Sequence, residues 1–120
     1  MAMTILVLGT DARLSDSLSG SLAATGLPVI CVDSTPLALA QLTAGTIGLA
    51  LVDAATRDLA EGALPAIRAT AAGAHLPLVV LTDGPAQGRA DWARDLGATA
   101  AIDRAAPADE LLALIHRLTG

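Results

Sequence analysis

Lysine, phenylalanine and tyrosine are missing from this 120-residue chain, and tryptophan and cysteine occur once each, as Trp92 and Cys31. Without lysine there is no Schiff-base chemistry and no lysine of a phosphate loop. Without an aromatic set there is nothing to stack on a flavin. Seven arginines carry all the basic side-chain charge against twelve acids, a net −5. That balance argues against nucleic acid and anionic membrane as partners, since both need a basic face to displace counterions. A lone cysteine closes no internal disulfide, and the run Val29-Ile30-Cys31-Val32 reads it as strand core. No apolar stretch nears the roughly 18 residues of a spanning helix. The start, Met1-Ala2-Met3-Thr4-Ile5-Leu6-Val7-Leu8, has no basic residue and turns polar too soon for a secretion signal. The expectation is a soluble cytoplasmic protein.

What is present is small and aliphatic. Twenty-seven alanines and twenty-one leucines supply most of the 53% hydrophobic content. Such a core favours close helix–sheet packing and thin layers over a large ligand cavity. The length suits one domain over residues 1–120, with one core.

Two kinds of segment alternate. Short runs rich in Val, Ile and Leu stand at Thr4–Leu8, Pro28–Val32, Leu49–Val52, Leu78–Leu81 and, more weakly, Ala100–Ile102. They are apolar nearly throughout, as strands covered on both faces must be. Between them lie helix-period segments. Leu14, Leu18 and Leu22 recur every four residues until Gly26-Leu27-Pro28 stops them. Ser34-Thr35-Pro36 opens a second helix with a cap and a first-turn proline. Leu59, Leu64 and Ile67 suggest a third, its start blurred by Gly62 and Pro65. Ala86 to Leu96 gives a fourth and Pro107 to Leu118 a fifth, with acids in its first turn and His116 and Arg117 in its last. Strands alternating with helices predict an α/β domain, a parallel sheet with helices on both faces.

In such a sheet chemistry gathers at the carboxyl ends of the strands. There stand Gly9-Thr10-Asp11, Asp33, Asp53, Thr82-Asp83 and Asp103-Arg104. Taken singly, Asp11, Asp33 and Asp103 read as caps of turns and helices.

Taken together, the pattern resembles the receiver domain of bacterial response regulators in two-component signalling. The resemblance runs from Ile5-Leu6-Val7-Leu8 to Asp109-Glu110-Leu111-Leu112, and rests on order and spacing more than on any one motif. It implies a flavodoxin-like (βα)5 fold with strand order 2-1-3-4-5. It also implies that Asp53, in Leu51-Val52-Asp53, stands where the family's aspartate accepts a phosphoryl group from a histidine kinase. Thr82, closing Pro77-Leu78-Val79-Val80-Leu81-Thr82, stands where the family's threonine signals the phosphorylated state.

The departures are as informative. Receivers close the first strand with two adjacent acids that hold Mg²⁺. Counting back from Gly26, those places fall on Gly9 and Thr10, leaving Asp11, one place later, with Asp53 as an incomplete Mg²⁺ site. The family's lysine falls on Arg104, which could pair with Asp53 but bonds in a planar fork. Its proline falls on Ala105, its small residue after the threonine on Asp83, and its aromatic switch on Ala101. A second carboxylate at Asp83 would repel an incoming phosphoryl group unless offset. The expectation is a degenerate, pseudo-receiver type. Two readings of Asp53 stay open: a phosphoacceptor helped by Arg104 and Asp11, with Asp33 or Asp83 as further acids, or a vestige held by Arg104 or backbone amides.

His75 and His116 have no acid or cysteine at ligand spacing, so a metal or phosphotransfer role is not expected. Ser15, Ser17, Ser19 and Ser21 read as a solvent face. Trp92, among Asp91, Arg94 and Asp95, is either partly buried or a contact anchor on the surface of helix 4, strand 5 and helix 5 by which receivers meet partners.

The functional expectation is a stand-alone receiver-like signalling protein, not an enzyme. It would act by contact with a histidine kinase or other signalling protein, or as a homodimer through that same surface. The alternatives are a phosphorylation-independent adaptor and, from another class, a small-molecule or nucleotide binder. For the last, Leu8-Gly9-Thr10-Asp11 lacks the spaced glycines of a dinucleotide turn.

Overall fold

The computed structural model describes residues 4–53, 57–82 and 90–119. The apolar runs form five strands: β1 (Thr4–Leu8), β2 (Val29–Val32), β3 (Ile47–Asp53), β4 (Leu78–Thr82) and β5 (Ala100–Asp103). All neighbours are parallel, in the order β2-β1-β3-β4-β5. Pro28 lies just outside β2 because it has no N–H for the ladder, yet its carbonyl still accepts from Ile5 N–H at 2.9 Å. The helices are α1 (Ala12–Ala23), α2 (Thr35–Thr43), α3 (Arg57–Arg68), α4 (Ala90–Asp95) and α5 (Ala108–Thr119). The expected beginning of the fourth helix, before Ala90, falls outside the described residues.

Strand side chains alternate between the two faces, which makes two core layers. Ile5, Val7, Leu49, Leu51, Val79 and Leu81 meet Leu18 and Leu22 of α1 and Leu111, Leu114 and Ile115 of α5. Leu6, Leu8, Ala50, Val52, Leu78 and Val80 meet Ala38 and Leu42 of α2, Leu64 and Ile67 of α3 and Ala93 of α4. β1 and β4 are therefore buried along their whole length, whereas β2 and β5, at the sheet edges, are only half-buried or exposed. Fully buried alanines at 38, 50, 63 and 93 let helices approach the sheet closely.

Local signals fix the helix ends. Asp11 caps α1, its side chain accepting from Arg13 and Leu14 N–H, and Ser34 caps α2 ahead of a first-turn proline. The blurred start of the third helix is settled at Arg57, so Pro65 sits inside α3. It lies on the exposed side, where the lost ladder bond faces water.

The edge position of β2 corrects the expectation for Cys31. The thiol is exposed rather than core, with Sγ 3.2 Å from Ser19 Oγ. The serine face is corrected with it. Ser17 alone is exposed, while Ser15, Ser19 and Ser21 are half-buried beside β2 or along the cleft toward α5.

At the amino edge of the sheet, Arg68 ties two loops together, α3–β4 and α4–β5. Its Nε donates to Gly97 O at 2.8 Å, and its Nη1 to Gly73 O at 3.0 Å and Leu76 O at 2.6 Å. Its Nη2 donates to Thr99 Oγ1, which also accepts from Leu78 N–H. Burial pushes this guanidinium below its ordinary pKa, but arginine stays charged at any ordinary pH. Gly97 makes the contact possible: its φ is +108°, and a Cβ there would lie 2.9 Å from Arg68 Cγ.

Candidate functional site

The carboxyl edge of the sheet gathers the residues singled out in the sequence. Asp53 ends β3 and is 4% exposed. Thr82 ends β4, fully buried, and its Oγ1 donates to Ile102 O at 3.3 Å across to β5. The Arg104 N–H in turn donates to Thr82 O at 2.8 Å, so the first residue after β5 is tied to the end of β4. Asp103 holds the following turn, its Oδ1 accepting from Ala105 N–H at 2.9 Å. Its role is the cap expected of it.

From that anchored position the Arg104 side chain reaches across β4. Its Nη2 stands 2.6 Å from Asp11 Oδ2 and 3.5 Å from Asp53 Oδ2. The first contact is a short charge-assisted hydrogen bond, the second a longer ion pair. The expected pairing of Arg104 with Asp53 is thus present in geometry, but the tighter partner is Asp11. Asp11 does two jobs at once. Its Oδ1 accepts from Arg13 N–H at 3.0 Å and Leu14 N–H at 3.3 Å, while Oδ2 receives the guanidinium. The Leu14 N–H and the Arg104 hydrogen bond hold its carboxyl below the usual carboxylate pKa.

Gly9 supplies the packing that allows this. A Cβ there would lie 2.9 Å from Asp53 Cβ, so no side chain fits at position 9 unless Asp53 moves. The sequence shows only that a carboxylate is missing at Gly9; the close approach explains why none could simply be added. Thr10 and Asp33 are exposed, and Asp33 contributes to the shallow groove along β1 and β2 with Gly9 and Thr10. Asp83 lies outside the described residues.

A magnesium ion seeks near-octahedral oxygen coordination and keeps several waters. Here one carboxylate has both oxygens engaged and the other lies against the same guanidinium. Among the described residues no group of three His, Cys, Asp or Glu side chains could hold a metal. The residues present do not fit that ion.

Trp92 is half-buried against the core layer of α2, α3 and α4, with exposed Asp91, Arg94 and Asp95 around it. Ala101, half-buried on β5, lines an open groove with Arg94, Glu110 and Arg117. His75, in the loop before β4, and His116, in the last turn of α5, are exposed. Arg68 escaped the sequence reading altogether. Its partners are mostly backbone carbonyls, which no side-chain pattern advertises. No helix among the described residues is long and apolar enough to cross a membrane.

No protein-family model and no curated protein matches the sequence. Solved structures do match its shape. A protein of Chloroflexus aurantiacus J-10-fl taken to be a response regulator superposes with a TM-score of 0.89 at 18% identity, over 99% of this chain and 98% of its own. The chemotaxis response regulator CheY4 of Vibrio cholerae gives 0.87 at 17%, over 98% and 99%. The receiver domain of the sensor histidine kinase PA1611 of Pseudomonas aeruginosa PAO1, with magnesium coordinated in its active-site cleft, gives 0.87 at 20%, over 100% and 99%. Near-complete coverage in both directions at these TM-scores leaves one conclusion: this chain has the fold of response-regulator receiver domains.

Proposed function

We propose that the chain is a receiver-type module of two-component signalling, a single domain over residues 1–120 that works in the cytoplasm by protein contact and catalyses no reaction of its own. Its partner is a histidine kinase or another signalling protein, met through the surface of α4, β5 and α5, where Trp92 offers an anchor and a second copy could also dock. Neither nucleic acid nor membrane fits a chain with net −5 and no lysine.

One observation carries the reading. Asp53, Thr82 and the cation Arg104 meet at the carboxyl edge of a sheet with receiver topology, and the one guanidinium is shared between Asp11, which it bonds closely, and Asp53. Asp53 stands where the resemblance puts the phosphoacceptor, but Arg104 lies against it and against Asp11, where a Mg²⁺ ion offsetting charge on a transferring phosphoryl group would need free carboxylate oxygens. The module is therefore of the pseudo-receiver kind, its contacts independent of phosphorylation.

The test is the intact mass of wild type and Asp53→Asn after incubation with Mg²⁺ and a small phosphodonor, with Trp92 fluorescence followed in the same samples. The expected result is an unchanged mass and unchanged fluorescence in both proteins. A phosphoryl adduct on wild type that Asp53→Asn abolishes would restore the phosphoacceptor reading, with Arg104 and Asp11 as helpers.

A further inference from the structure

We infer that Arg104 is a built-in cation that closes the Asp11–Asp53 pair to divalent metal, so that the chain itself holds this rim in one electrostatic state. The inference deepens the signalling reading and rests on it only for what the lock means to a partner.

Three features make the guanidinium a fixture rather than a passing contact. First, Arg104 is anchored from behind: its N–H is bonded to Thr82 O, and the turn after it is held by Asp103 through Ala105 and Ala106 N–H. Second, both oxygens of Asp11 are committed, one to the start of α1 and one to Arg104. A metal ion would have to take Oδ2 from the arginine, because taking Oδ1 would uncap the helix. Third, Asp53 is buried, and a buried carboxylate requires a compensating charge or donors. Arg104 provides that charge from the folded chain at no cost in association entropy, whereas an ion must be captured from solution.

Charge decides between the two occupants. A divalent cation entering between Asp11 and Asp53 would sit against the guanidinium, and like charges at that distance repel strongly in a half-buried site. Gly9 closes the other route, since a third acid grafted there would collide with Asp53 before it could recruit metal. The site therefore resists repair by adding an acid and responds to removal of the arginine.

The experiment is calorimetric titration of wild type and Arg104→Ala with Mg²⁺ and with Mn²⁺, joined to nitrogen-edited NMR of the arginine side chains in wild type. Expected is no saturable binding by wild type at millimolar ion, and binding by Arg104→Ala tighter by about tenfold or more. The Arg104 guanidinium signals of wild type should not move with Mg²⁺, but should shift in Asp11→Asn. Wild type binding either ion as well as Arg104→Ala does would overturn the lock, as would release of the Arg104 signals by Mg²⁺. Should Arg104→Ala fail to fold, the wild-type NMR titration decides alone. The two readings fail separately. Displacement of Arg104 by metal removes the lock and leaves the contact module standing. A metal-free Asp53 adduct removes phosphorylation independence and leaves the lock.

Discussion

Two arginines, at opposite edges of the same sheet, do opposite kinds of work. At the carboxyl edge Arg104 faces carboxylates and manages charge. At the amino edge Arg68 faces backbone oxygens of the α3–β4 and α4–β5 loops and satisfies them. The first interaction is between ions and weakens with salt and with protonation of its partners. The second is between an ion and neutral dipoles, and neither salt nor mild acid removes it. One edge is tuned for an electrostatic state, the other for holding loops in place.

The largest effect should come from breaking the amino edge. Arg68→Ala takes the guanidinium from the part-buried carbonyls of Gly97, Leu76 and Gly73, the last of which keeps Leu76 N–H, and should cost about 2–4 kcal/mol, read as a lower midpoint in urea. That loss should be nearly the same at low and high salt. Arg68→Lys should recover only part of it, since an ammonium cannot copy the fork.

Arg104→Ala should cost less, about 1–3 kcal/mol, because the pair it breaks is partly open to water where a fully buried one would cost more. Unlike the Arg68 loss, this one should shrink as salt is raised. Adding Asp53→Asn to Arg104→Ala should return part of the lost stability by removing a buried charge that has lost its nearby guanidinium. Simple additivity of the two losses in the double mutant would show that the 3.5 Å contact carries no coupling.

Acid should separate the edges next. The folded Asp11 carboxyl binds its proton less readily than the unfolded one, whose ordinary value is 3.8. Its contribution is therefore full above that value and is lost as pH falls through the lower folded value. The stability gap between wild type and Asp11→Asn should stay constant near neutrality and close only in strong acid. The gap between wild type and Arg68→Ala should not respond to this proton at all.

The smallest effect belongs to Cys31→Ser, within about 0.5 kcal/mol, because the thiol is exposed. The native thiol should react with a disulfide reagent at a rate close to that of the unfolded chain. Slow reaction would return Cys31 to the core.

Much of the fold was legible. Thr4–Leu8 is a strand with the predicted ends, Ser34 caps the helix it was expected to cap, and the leucines spaced by four in α1 bury Leu18 and Leu22. Boundaries failed where local rules yield to neighbours. β3 runs on to Asp53 because β4 pairs with it there, Asp53 opposite Leu81. Gly62 and Pro65 blurred the start of the third helix, yet both sit within α3 because its packed face, Ala63, Leu64 and Ile67, is strong enough to hold the turn. Cys31 was misread because an apolar run does not say whether its strand is central or at the edge. At the rim, the sequence displayed Asp11, Asp53, Thr82 and Arg104 as candidates and offered Asp11 both as a cap and as half of a Mg²⁺ site, but not as the partner of Arg104. The structure bears out the cap and adds the arginine partner.

Composition and period, by themselves, determined the elements, their alternation, the parallel sheet and the acids at its strand ends, because each depends on residues a few places apart. Tertiary structure alone decided which charges meet. Asp11 and Arg104 are 93 residues apart in the chain and become partners only when β1, β3, β4 and β5 are laid side by side. The same holds for Arg68, whose reach to Gly97 spans 29 residues and depends on two turns arriving at one place. Period and propensity are properties of a segment; a salt bridge across four strands is a property of the packed sheet.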